Sequence, residues 1–381
     1  MENLLIDDNI FYENYNNYIQ HIKEKEEILI WGSELSSANI IELIKNENIW
    51  FKVIGFVTNN KDLWGGRIQE KRIFSPVDVV NNLQKDNVLV IIAAQQQSAI
   101  QSQLEKLQVP NEKIDLKGFG LSKDYLTYKD NQTPFEIIQE NLLEIRKTFD
   151  LLEDQKSKNV LSNILNSKIT LDNSYLNGIA SPPVQQYFDE ELISLNEGEV
   201  FIDCGSFNGD TLKSFLNFSN GTKYEKYIAI EADPKIYKDL LLTIEKEKVE
   251  NVLPINIACW FEEATLSFMQ QSSSGSINKE GSMSVQANSL DNLFSEDKIT
   301  FIKMDIEGAE QNALLGAKKL IDKNSPILAI CLYHKLEDYF KIPLMINEMN
   351  SEYKFFIRHY TDRVDVETVC YAIPKNRLKQ I

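Results

Sequence analysis

The chain has 381 residues, 43% of them hydrophobic and 25% charged, the balance of a folded globular protein and not of a disordered one. A formal net charge of −17 at pH 7 repels phosphate backbones and anionic lipid, which argues against nucleic-acid and membrane-surface binding. Residues 1–8 show no basic stretch followed by an apolar one. The densest apolar run, 88–94, is too short to cross a bilayer, so no membrane insertion and a cytoplasmic location are expected.

Up to about Gly120 the pattern alternates strands and helices. Residues 28–32 form a short apolar run ending in Gly32, and Ile40, Ile41 and Ile44 follow at helical spacing. Residues 51–57 and 88–94 read as strands, and 99–107 as a helix before Pro110. This rhythm implies a parallel sheet covered by helices. From 134 to 168 the apolar positions repeat at helical spacing, interrupted at 154–157, which suggests a helical connector. The core of the second domain would account for it equally well. Ser181-Pro182-Pro183 marks a loop before that domain. From Glu199 the alternation restarts, with strands at 200–203, 227–231, 252–258, 300–305 and 327–332. Helices follow at 211–218, 234–246, 309–321 and 336–349. The last two strands, 353–358 and 367–373, are joined too briefly for a parallel crossover and must be antiparallel. Residues 260–269 read as a hairpin, and the serine-rich stretch 272–284 as its loop, an ordinary hairpin tip or a lid over the cleft.

The four cysteines, Cys204, Cys259, Cys331 and Cys370, form no Cys-x-x-Cys pair and lie in or after apolar strands, as buried reduced thiols do. With three histidines in all, no histidine-rich centre is expected, and no metal is assigned.

Four places carry chemistry. The stretch from Asp203 to Thr211 joins a strand to a helix, and Gly205 and Gly209 permit backbone conformations closed to other residues. Ligands of open α/β sheets bind at such strand ends. Asp203 and Asp210 flank this loop and no P-loop lysine follows, so it suits a cationic cofactor without phosphate, such as S-adenosylmethionine. Glu231 ends the next strand, where an acid accepts both ribose hydroxyls of an adenosine cofactor. Asp305, Glu307 and Glu310, beside Lys303, could bind substrate hydroxyls, act as a base or hold a divalent ion. Helix capping would also explain Glu307, and solvation Glu310. His334, in Tyr333-His334-Lys335, follows a strand end and is either a proton acceptor or a structural histidine.

These segments together resemble the FkbM family of S-adenosylmethionine-dependent methyltransferases. The likeness spans roughly 185–375, and 303–310, Lys-Met-Asp-Ile-Glu-Gly-Ala-Glu, is its most specific part. Ser206 stands where the family often has alanine, and Glu231-Ala232-Asp233-Pro234 varies its Glu-Pro. The resemblance implies an α/β class I methyltransferase at 185–381: a Rossmann-like, seven-stranded sheet whose last strand is antiparallel. A smaller Rossmann-like domain (1–125) and a helical connector (126–184) would precede it. It further implies O-methylation of a hydroxyl on a sugar, glycan precursor or natural product. Asp203, Gly205, Ser206, Asn208, Gly209, Asp210, Glu231 and Ala232 would bind S-adenosylmethionine. His334 and Asp305 would be catalytic, and Glu307 and Lys303 would meet the acceptor. The first domain resembles Rossmann-like domains ahead of sugar-modifying transferases, through 30–33 and 53–60. It would scaffold, mediate homo-oligomer formation or hold a nucleotide-linked sugar. A non-catalytic nucleotide-binding or assembly module is the alternative, and a nicotinamide oxidoreductase is disfavoured by the acidic loop.

Overall fold

A computed structural model describes residues 10–82, 87–94, 97–270, 275–277, 281, 283–361 and 366–379. The chain forms two compact units, Asn3–Glu140 with Ile164–Tyr175, and Asn141–Asn163 with Leu176–Ile381.

The first unit holds a six-stranded sheet in the order Arg67–Ile68, Lys71–Phe74, Val53–Val57, Glu27–Trp31, Val88–Ile92, Ile114–Asp115. All neighbours run parallel except the hairpin of the first two. Strand residues alternate between its two faces. Ile28 and Ile30 pack with Phe11, Ile40 and Ile44, whereas Leu29 and Trp31 pack with Ile100 and Leu104. Helix Ile10–Glu24, not among the expected elements, supplies Phe11, Tyr15, Tyr18, Ile19 and Ile22 to the first face.

The larger unit is built on seven strands: β1 (Val200–Cys204), β2 (Lys226–Ile230), β3 (Val252–Ile255), β4 (Phe301–Met304), β5 (Ile327–Cys331), β6 (Tyr353–His359) and β7 (Thr368–Pro374). They lie in the order β6-β7-β5-β4-β1-β2-β3. Strand β7 alone is antiparallel to its neighbours β5 and β6, while β5-β4-β1-β2-β3 are mutually parallel. This is the expected seven-stranded sheet with an antiparallel last strand. Its helices are α1 (Asp210–Ser219), α2 (Pro234–Glu247), α3 (Glu310–Leu315), α4 (Lys318–Asn324) and α5 (Asp338–Met349). The single helix expected over 309–321 is thus two. Between β3 and β4 a separate four-stranded sheet pairs Ala258–Cys259, Met283–Asn288, Ala264–Gln270 and Gly275–Ile277 in that order. Residues 260–269, expected to form a hairpin, hold one strand of it, Ala264–Gln270, whose antiparallel partners are Gly275–Ile277 and Met283–Asn288. Residues 271–274, 278–280 and 282 of the serine-rich stretch lie outside the described residues, as do 362–365 of the last join.

Residues 126–184 are divided between the units. In the larger unit, Ile145 and Phe149 of helix Leu142–Leu151 are buried, and Thr148 Oγ1 donates to the Phe340 carbonyl at 3.2 Å. Arg358, 2% exposed, ties β6 to the following turn, reaching Asp154 Oδ2 at 2.6 Å and Ser157 Oγ at 2.9 Å. Lys168 instead pairs with Asp124 at 2.7 Å in the first unit.

Candidate active site

Beneath the carboxyl ends of β1, β2 and β4 lies an aromatic cluster. Phe201 stacks on Phe301 at 4.7 Å and on Tyr227 at 5.0 Å between ring centroids. Four chain crossings leave the sheet here, and they assemble the site.

The loop after β1 turns at Gly205, whose φ is +80°. A Cβ built there would lie 1.9 Å from the Asp305 carbonyl oxygen, so only glycine lets the ends of β1 and β4 approach this closely. Gly209, with φ +87°, starts α1, and its N–H donates to the Ser206 carbonyl at 2.9 Å. Asn208 and Asp210 are exposed on this turn. Asp203 and Ser206 are fully buried and look inward. Asp203 pairs with Lys303 Nζ at 3.1 Å and accepts from Tyr227 Oη at 2.6 Å, and Ser206 Oγ donates to the Asp203 carbonyl at 2.8 Å.

Glu231 ends β2 and is anchored by the backbone. Its Oε2 accepts from Phe207 N–H at 3.0 Å and its Oε1 from Asp233 N–H at 2.8 Å. Asp233 in turn caps α2 by accepting from Lys235 N–H at 2.7 Å, with Pro234 in the first turn. Burial pushes the Glu231 carboxyl up, the two N–H donors restrain it, and it settles at about 6. Asn256 Nδ2 donates to the Glu231 carbonyl at 2.7 Å, and Ala232, partly buried, packs on the small sheet's core.

Opposite lies an acidic edge. Asp305 follows β4 and accepts from Tyr187 Oη at 2.8 Å and from Tyr333 Oη at 2.9 Å. Burial would raise its pKa, but Lys303, His334 and the two phenols outweigh burial and hold it below the usual carboxylate range. His334 follows β5 with its side chain 8% exposed. Its Nδ1 lies 2.9 Å from Glu310 Oε1, and its Nε2 lies 3.5 Å from both Asp305 Oδ1 and Glu307 Oε2. Burial pushes the imidazole down, but Glu310, Asp305 and Glu307 push it up to about 9. Glu307 and Gly308 both have positive φ, +55° and +89°, so the turn after β4 is tight.

A family model for the methyltransferase FkbM domain matches residues 203–364, the segment that carries the glycine loop, Glu231 and the Asp305–His334 edge. This chain carries a methyltransferase FkbM domain. It is a methyltransferase, and the resemblance read from the sequence holds. A second model, described as C2185-like, N-terminal, matches residues 24–115. Among solved structures, methyltransferase FkbM from Methylobacillus flagellatus KT shares the fold with a TM-score of 0.68 at 19% identity, over 95% of this chain and 98% of that one. An rRNA methylase from Streptococcus thermophilus matches at TM-score 0.32 and 12% identity, over 49% of this chain and 89% of its own. A SAM dependent methyltransferase from Aquifex aeolicus matches at 0.30 and 16%, over 53% and 97%. No curated protein matches.

Within the FkbM domain several expected roles are corrected. Lys303 cannot meet an acceptor. It is 2% exposed, pinned between Asp203 and the Gly205 carbonyl at 2.7 Å, and holds the glycine loop from below. Asp203 and Ser206 share that supporting place. Glu310 is not solvated but fully buried, with its Oε1 accepting from Ile306 N–H at 2.8 Å. Asp305 is held ionised by its neighbours. Sequence reasoning missed Tyr187, which arrives from a segment without a motif and orients Asp305.

Proposed function

We propose that the FkbM domain transfers a methyl group from S-adenosylmethionine to a hydroxyl of a saccharide, glycan precursor or related natural product. The observation that carries this reading is Glu231. Each of its oxygens is fixed by a backbone N–H and keeps a lone pair for a ribose hydroxyl, beside a glycine turn that a side chain would close. The acidic surroundings, with Asp210 on the loop and Asp305 and Glu307 across from it, match a sulfonium and an ammonium and repel a pyrophosphate. When bound, the cofactor supplies an electrophilic methyl group whose sulfur loses its positive charge on transfer. Gly205, Gly209, Asn208, Asp210, Glu231 and Ala232 are the residues this chain offers to hold it. Asp305 and His334 are the proposed catalytic pair. Asp305, locked by two phenols, is an ionised acceptor that aims the hydroxyl, and such alignment supplies much of the rate of an in-line displacement. The four cysteines are buried free thiols, in keeping with a cytoplasmic place for this chemistry.

Calorimetric titration with S-adenosylmethionine, S-adenosylhomocysteine and NADH tests the reading. Micromolar binding of the first two and none of NADH is expected; binding of NADH alone would overturn it. A sugar-hydroxyl screen with radiolabelled cofactor then tests the acceptor class.

Glu231 makes the binding pH-dependent. Ribose hydroxyls need the ionised carboxylate, and its pKa is about 6. Cofactor affinity should be flat above pH 7 and fall about tenfold per unit below 6 as protons compete. Glu231→Gln should weaken binding roughly 10- to 100-fold, the worth of a charged hydrogen bond, and flatten the profile. A Gln variant that keeps the wild-type profile would assign the titration to another group.

A further inference from the structure

The acidic edge has more negative charge than its one imidazole can balance. Three carboxylates, Asp305, Glu307 and Glu310, surround His334 within 3.5 Å, and Lys303 is already committed to Asp203 and the loop carbonyls. The geometry points to a divalent-cation site formed by Asp305, Glu310 and His334, whose ligand atoms lie within 4.8 Å of one another. Buried atoms there have no hydrogen-bond partner: Glu310 Oε2 and both ring nitrogens of His334. Glu310 is fully buried and the His334 side chain is 8% exposed, so water cannot satisfy them freely. Leaving such polar atoms unpaired costs free energy, and an ion relieves it. Glu310 Oε1 lies 2.9 Å from His334 Nδ1, and an ion held here would displace the imidazole's proton.

The outer contacts of a metal site are also present. Ligating carboxylates are themselves hydrogen-bonded in such sites. Here Tyr333 donates to Asp305 Oδ1, Tyr187 to Asp305 Oδ2 and Ile306 N–H to Glu310 Oε1. Two carboxylates with one imidazole favour an ion between the hard and borderline classes, and Mn²⁺ fits better than the all-oxygen ion Ca²⁺. An acceptor hydroxyl taken as a further ligand would become more acidic. That role at the acceptor rests on the methyl-transfer reading, whereas the ion site rests on these distances.

The test is Mn²⁺ titration of the full chain, freed of metal with a chelator, followed by electron paramagnetic resonance of free Mn²⁺. One saturable site is expected, with nitrogen coupling from an imidazole in the pulsed spectrum. Asp305→Asn and His334→Ala should each weaken it about 100-fold, with folding checked by thermal melts, and Asp305→Asn is isosteric should His334→Ala not fold. Ca²⁺ should compete poorly. No saturable binding up to 1 mM, or binding without nitrogen coupling and indifferent to Asp305→Asn, would overturn the site. Calorimetry with S-adenosylmethionine in the absence of Mn²⁺ separates the two readings: cofactor binding without Mn²⁺ binding removes the ion alone, and Mn²⁺ binding without cofactor binding removes the methyl-transfer reading alone.

Discussion

Lys303→Met should lower the unfolding free energy by about 3–5 kcal/mol, the usual cost of stripping one partner from a buried ion pair. The ammonium is 2% exposed and faces Asp203, which is fully buried, at 3.1 Å. Without it, Tyr227 Oη is the one side-chain donor left to Asp203 among the described residues, and the Gly205 carbonyl loses its partner at 2.7 Å. Burial alone would lower the lysine's pKa, but Asp203 and Asp305 raise it well above its ordinary value. The group therefore stays charged across the working range, and only substitution removes it. Urea unfolding measures the loss. Adding Asp203→Asn to Lys303→Met should recover much of it, because a neutral pair leaves no buried charge behind. A loss under about 1 kcal/mol, or no recovery in the double variant, would show that the pair is solvated in solution.

Lys303 also shows where a sequence stops being readable. The strands were legible because β-branched and apolar runs bounded by turn residues have few other uses. The order of helices between them then required a parallel sheet. In such a sheet, covered on both faces, all of Phe301, Ile302, Lys303 and Met304 are buried, so alternation carries no sign of exposure. A lysine in the specific stretch 303–310 therefore looked available to a substrate when it was a strut. Glu310 misled in the same way, since three residues from Glu307 suggested a solvated helix face. Instead it heads α3 and turns under the loop to the Ile306 N–H. Tyr187 reaches Asp305 across 118 residues from a non-repetitive segment, a contact that no local pattern announces. The helix Ile10–Glu24 is the opposite case. Its buried Phe11, Tyr15, Tyr18, Ile19 and Ile22 follow helical spacing, a signal present in the chain and masked by the many Asn and Tyr residues around it. Glu231 was the most legible residue of the candidate site, because a strand end followed by Asp233-Pro234 marks its place in the fold.

Gly205→Ala should cost about 3 kcal/mol and abolish measurable cofactor binding, and a second glycine supplies the calibration. Two penalties add at Gly205. An L-residue at φ +80° costs about 1–2 kcal/mol. The new Cβ would also sit 1.9 Å from the Asp305 carbonyl oxygen, which is backbone and cannot rotate away. Relief requires β1 and β4 to part at the point where Asp305 N–H donates to the Cys204 carbonyl at 3.0 Å, and such overpacking costs about 1–3 kcal/mol more. Gly221 has φ +86° with nothing within 4 Å of its built Cβ, so Gly221→Ala should show the backbone penalty alone, about 1 kcal/mol, with cofactor binding intact. The difference between the two variants, read by urea unfolding, isolates the contact between the loop and the Asp305 turn. Equal losses would mean that the loop relaxes without moving Asp305. Unequal losses, with cofactor binding gone only in Gly205→Ala, would tie the glycine loop to the Asp305 edge through one backbone contact. The same displacement would then move Asp305 off Tyr187 and Tyr333, so catalysis would fall by more than the lost affinity explains.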